Sequence, residues 1–149
     1  MSGLSELEIL SIERACMRLV LDFAEAIDTR NWALLDEIFA DDATYARPVE
    51  PDIIVSGREN IRKLFDGRPA DRITQHLYSN VMIDVLSADR ARGSSRVVLI
   101  AAPTGSERHP QFGHQAQAMQ LVGGYKDEYV RTARGWRIHS RRGYILMHT

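Results

Sequence analysis

The chain has 149 residues, 44% of them hydrophobic and 26% charged, with a formal net charge of −1. That length suits one domain over residues 1–149, able to bury roughly two-thirds of its unfolded surface with no disulfide or metal staple. The basic residues are scattered apart from Arg141-Arg142, which excludes the concentrated positive footprint that nucleic-acid binding requires.

Residues 1–6 lack the basic start and apolar core of a secretory signal, and no apolar run reaches bilayer length, so a cytoplasmic protein with no membrane partner is expected. Residues 7–27 read as a long amphipathic helix: Ile9, Ile12, Cys16, Leu19, Phe23 and Ile27 recur at three- and four-residue steps. Ser5 with Glu8 has the spacing of a capping box. Cys16, the single cysteine, falls on the apolar face and reads as a small buried hydrophobe rather than a nucleophile. A connector at Thr29-Arg30-Asn31 precedes a second helix over 32–39, with Leu35, Ile38 and Phe39 on its apolar face. Asp41-Asp42 ends it, and a short strand follows at 43–46. After a loop over 48–51, Ser56 and Glu59 have capping-box spacing for a third helix, which Gly67-Arg68-Pro69 closes.

Beyond Ala70 the segments 73–86, 96–102, 115–132 and 135–147 are β-branched and aromatic in part and read as strands. Turns fall at 87–89 and 131–135, and 104–113 is a loop. Helices followed by a strand meander predict an α+β fold. It is a curved antiparallel or mixed sheet with N-terminal helices on its concave face, a cone with a central pocket.

Several residues in this frame carry chemistry. Asp28 sits at the C-terminal end of the long helix, where the macrodipole disfavours a negative charge; the plainer reading is that it turns the chain with Thr29. His76 opens the first long strand. It gains meaning only if a carboxylate reaches it, fixing the tautomer and leaving the other ring nitrogen as a base. Arg141 and Arg142 must face opposite sides of the last strand. Simple alternation from Trp136 and Ile138 puts Arg142 inside, unless a bulge flips the register. Tyr45, Tyr78, Tyr125 and Tyr129 offer hydroxyls, each first a packing aromatic. His109 and His114 have no Cys, Asp or Glu at ligand spacing, so no metal is expected. The chain has no phosphate-binding glycine loop, nucleophile elbow or paired-cysteine site.

The run from Ala24 to Asp28, then Asn31-Trp32 and Phe39 to Ala43, resembles the opening of the SnoaL-like branch of the nuclear transport factor 2-like (cystatin-like fold) superfamily. Thr74-Gln75-His76 resembles the strand bearing the catalytic histidine of scytalone dehydratase. Gly124 to Tyr129, followed by Gly135 to Ile138 and Arg141, resembles the closing hairpin of hexachlorocyclohexane dehydrochlorinase. The resemblance covers nearly the whole chain. It implies an Asp28–His76 dyad with His76 as general base, and Arg141 polarising the leaving side. Tyr45, Tyr125, Trp32 and Phe23 are implied as substrate-contacting residues. Phe23 stands where the dehydrochlorinase has a lysine, and Ile27 replaces a tyrosine of scytalone dehydratase. The second histidine of that enzyme falls near Pro103-Thr104 and is missing; His109 or His114 are the candidates to replace it from the loop.

The implied function is a cofactor-independent lyase or isomerase acting on a small, largely apolar cyclic substrate. The alternative is a non-catalytic ligand-binding or subunit module, such as the small subunit of an aromatic-ring-hydroxylating dioxygenase. A polyketide-type cyclase or an epoxide hydrolase is a narrower third option. An open pocket touching both Asp28 and His76 discriminates the first two. The resemblance also implies a homo-oligomer, a dimer or trimer, joined through the outer face of the sheet.

Overall fold

The computed structural model describes residues 3–149; Met1 and Ser2, the start of the segment read above for a signal, lie outside the described residues. Helix α1 spans Glu6–Thr29 and opens on the expected capping box, with Ser5 and Glu8 satisfying each other's backbone N–H groups. Its buried stripe runs from Ile12 through Cys16, Leu19, Val20 and Phe23 to Ile27. Burial pushes the Cys16 thiol up to about 12, as suits a packing residue. The helix stops at Arg30, which is left-handed at φ 55° and donates its N–H to the carbonyls of Ala26 and Ile27.

Helix α2, Trp32–Asp36, is shorter than the expected 32–39. Phe39 has already joined strand β1, Phe39–Ala46, where it pairs with Ile138 and is fully buried. Strand β2, Val55–Ser56, pairs with β1 and takes Ser56 out of the predicted cap. Helix α3, Arg58–Asp66, therefore starts from Gly57 at φ 88° with no side-chain cap, and Glu59 pairs with Lys63 instead.

Four long strands follow: β3 Arg72–Val85, β4 Arg90–Pro103, β7 Leu121–Thr132 and β8 Gly135–His148. Strand β4 starts before the expected 96, because the turn at 87–89 is tight enough for Ala91 to pair with Val85 at once. Strand β7 starts after the expected 115. The 104–113 loop carries a small separate hairpin, β5 Arg108–His109 with β6 Gly113–His114. The six-stranded sheet runs β2-β1-β8-β7-β4-β3; β1 and β8 are parallel and the other neighbours antiparallel, so the sheet is mixed.

Bulges curve it. Asn80, at φ 50°, marks a surplus in β3 opposite β4. Residues 146 and 139 of β8 are surplus opposite β7, because Val122 pairs with Met147 but Gly123 with Ile145, and Glu128 with Ser140 but Tyr129 with Ile138. The helices cover the concave face, with α1 packed along β3. The loop after β1 is seated on the sheet at Gly143, where an added Cβ would stand 2.5 Å from the ring of Pro48.

The bulge at 139 corrects the alternation argument for the arginine pair. Ile138 faces inward, the surplus residue shifts the parity, and Arg141 rather than Arg142 turns to the core. Arg141 is 0% exposed and is the direct cross-strand partner of Asp127. Among the described residues no helix is long and apolar enough to cross a membrane.

Candidate active site

A cavity of about 560 Å³ lies between the helices and the concave face. Its floor comes from inward-facing positions of the sheet: Val97 and Leu99 of β4, Leu121, Gly123 and Tyr125 of β7, and Ile145 of β8. Its aromatic wall is Phe23, Trp32, Tyr45 and Phe65. Phe23 meets Phe65 at 5.7 Å and Tyr125 at 6.0 Å between centroids, largely edge to face, and Tyr45 lies 5.3 Å from Phe65.

Asp28 and His76 share this cavity. The end of α1 lies over the start of β3, and the inward parity of β3 presents Thr74 and His76 to the carboxylate. His76 Nδ1 is 2.5 Å from Asp28 Oδ1; the Thr74 hydroxyl donates to the same oxygen and the His76 backbone N–H to Oδ2, each at 2.8 Å. The two side chains are 10% and 14% exposed, Asp28 and His76 respectively. Three donors thus hold the Asp28 carboxylate at a helix end where the macrodipole opposes it. The tautomer that donates Nδ1–H to this carboxylate is the one whose Nε2 keeps a lone pair. Thr74 was legible only as part of a motif; its place two residues before His76, on the same face of a strand, is the signal that makes it a partner.

Phe23, Trp32, Tyr45 and Tyr125, expected to contact substrate, all border the cavity. Arg141 does not: the structure places it behind the wall. The rings of Phe23 and Tyr125 cover its guanidinium at 4.4 and 3.9 Å, and it donates to Asp127 Oδ2 at 2.8 Å and to the Tyr78 hydroxyl at 2.9 Å. Burial alone pulls its pKa down, but Asp127 and the surrounding tyrosines push it further up, so it stays charged. Burial pushes the Tyr78 phenol up to about 12 and raises Tyr45 and Tyr125 as well, so all three remain protonated donors near neutral pH. His109 and His114 do not replace the missing histidine. They sit in the β5–β6 hairpin away from the cavity wall, His109 taking the N–H groups of Gln111 and Phe112 and His114 lying 3.1 Å from the Ser106 hydroxyl. Among the described residues no cluster of three or more His, Cys, Asp or Glu is placed to hold a metal.

The mouth holds residues that sequence reading passed over: Arg30, Arg47, Arg68 and Arg72. They come from the end of α1, the loop after β1, the turn after α3 and the start of β3. Arg68 had read only as part of a helix stop, and nothing local marks it as a cavity residue.

A SnoaL-like domain model matches residues 8–142. A type 2 hexachlorocyclohexane dehydrochlorinase is similar in structure at 23% identity and a TM-score of 0.80, covering 97% of this chain and 92% of that one. A scytalone dehydratase-like protein of Novosphingobium aromaticivorans follows at 24% identity and 0.74, covering 97% and 91%. An aromatic-ring-hydroxylase-like protein of the same organism is similar at 20% identity and 0.77, covering 94% and 93%. At such identities these likenesses carry the fold alone. No curated protein matches the chain in sequence.

Proposed function

The chain belongs to the SnoaL-like family, and from that membership we propose that it is a cofactor-independent lyase or isomerase whose general base is His76, oriented by Asp28. The observation that carries this reading is the 2.5 Å contact between His76 Nδ1 and a triply hydrogen-bonded carboxylate at the edge of a cavity with an aromatic wall. His76 itself lines that cavity together with Asp28. Nε2 takes a proton from a carbon beside an activating group of a small cyclic substrate. The C–H electron pair then forms the new double bond. In elimination the leaving group departs from the adjacent carbon with its own pair; in isomerisation the proton returns to a different carbon. Phe23, Trp32, Tyr45 and Tyr125 hold the ring system, and the tyrosine hydroxyls are the donors for charge developing on oxygen. Arg141 serves as a positioning residue, fixing Tyr78 by a hydrogen bond and Tyr125 by its cation–π contact.

Self-association belongs to the same reading. Leu77, Val98, Val122 and Met147 are cross-strand partners in one row and form an apolar stripe over the outer face of four strands. Leu77 is 53% and Met147 60% exposed.

The test follows proton abstraction directly. Deuterium exchange beside the carbonyl of a cyclic ketone such as tetralone is measured in heavy water. His76→Ala and Asp28→Asn should each lose about 10²–10⁴-fold of the catalysed rate while remaining folded by circular dichroism. Nitrogen NMR of His76 should show the Nδ1–H tautomer in the wild type and lose it in Asp28→Asn. Exchange that survives His76→Ala sinks the reading and leaves a ligand-binding module.

A further inference from the structure

The whole chain is slightly acidic, at a net charge of −1, yet its cavity is lined by four arginines against two aspartates. One aspartate, Asp28, is taken up by His76. The arginines differ in how they are satisfied. Arg30 stacks 5.2 Å from the Trp32 centroid and donates to the carbonyl of Arg68. Arg47 pairs with Glu50. Arg72 is exposed to solvent at the strand start.

Arg68 is the exception. It is half-buried, its guanidinium lies 4.2 Å over the Phe65 ring, Tyr45, Arg47 and Tyr125 lie near it, and it forms no salt bridge among the described residues. Desolvation and the nearby Arg47 both pull its pKa down. A partly desolvated cation without a salt bridge among the described residues, in a cavity where arginines outnumber aspartates, calls for an anion supplied from outside. Stacking on Phe65 fixes the plane of the fork, and the N–H groups not turned to the Tyr45 hydroxyl suit a planar, two-oxygen acceptor.

We propose that Arg68, with Arg47 beside it, is the anion-recognising residue of this cavity, and that the substrate is an apolar ring system bearing a carboxylate. The carboxylate is held at the mouth, the ring enters the aromatic wall, and the reacting carbon reaches His76. This deepens the reading of the cavity as a catalytic site and rests on it for the role of His76, but not for the binding itself.

The experiment compares two probes of one shape, naphthoate and its neutral amide, naphthamide. Binding is followed by NMR through the cavity amides of Thr74, Leu99 and Gly123 and by calorimetry. The wild type should bind naphthoate about tenfold more tightly or better, and added salt should weaken naphthoate alone. Arg68→Gln should erase the preference, and Arg68→Lys should keep part of it. Equal binding of the two probes, a preference that survives Arg68→Gln in a folded variant, or no naphthoate binding at about millimolar concentration overturns the proposal. Should Arg68→Gln not fold, the salt dependence and Arg47→Gln decide, the latter expected to weaken naphthoate more than naphthamide. A carboxylate preference alongside ketone exchange that is indifferent to His76 would defeat the dyad alone; His76-dependent exchange with no preference would defeat the anion site alone.

Discussion

Asp127 and Arg141 are both 0% exposed in their side chains, yet they do not satisfy each other fully: among the described residues Asp127 Oδ1 and Arg141 Nε are buried without a hydrogen-bond partner, as is the Ser95 hydroxyl. Burial pushes the Asp127 carboxyl up, and Arg141 and the Tyr129 hydroxyl pull against that. Such a pair is expensive to break and cheap to replace. Asp127→Ala should lose about 3–5 kcal/mol in urea unfolding, because Arg141 is then a lone buried cation. Asp127→Leu combined with Arg141→Met should lose clearly less than the sum of the single changes, the coupling amounting to about 0.5–3 kcal/mol. Residue-level reading found the candidates Asp28 and His76 by type and place; an inward arginine also needs an acid. What it could not supply was the acid's identity. Asp127 becomes a partner only through the cross-strand register, and Arg68 becomes a cavity residue only once the turn after α3 is folded against the loop after β1.

Single elements were legible where their period is unbroken. The α1 stripe from Ile12 to Ile27 keeps a helical repeat, and the Ser5–Glu8 box is local. Its ionisation gives a sign that can be checked. The hydrogen bonds from the Ser5 hydroxyl and then its backbone N–H hold the Glu8 carboxyl below its ordinary range. A depressed carboxyl stabilises the folded helix start above the unfolded pKa and loses that contribution as pH falls through the folded one. Carbon-13 shifts of the first turn should therefore be helical near neutrality and drift toward coil below about pH 4, whereas Glu8→Gln should remove most of that acid dependence. In β8 the period breaks. A surplus residue at 139 has no compositional mark, so strict alternation led to the wrong arginine, and only pairing with β7 reveals the slip. The shortened α2 has the same cause: Phe39 suits a helix face as well as a strand, and its partner Ile138 decides.

At the scale of the molecule, helices before strands pointed to a curved antiparallel or mixed sheet with a pocket between helices and sheet; the parallel pairing of β1 with β8 shows only in the folded sheet. Its outer face carries the Leu77–Val98–Val122–Met147 row. Sedimentation should give a mass that is a multiple of 16.9 kDa, and Leu77→Lys with Met147→Lys should return the chain to monomer; a wild type that sediments as a monomer at all concentrations would refute self-association through this face. The seat of Pro48 on Gly143 bears on something other than affinity. The loop carrying Arg47, Pro48 and Val49 rests directly on bare backbone. Any side chain at 143 would lift it from the sheet and hold the mouth ajar. Traffic is what changes: Gly143→Ala should exchange a bound ligand faster in both directions even with every cavity contact intact, as NMR line shapes would show.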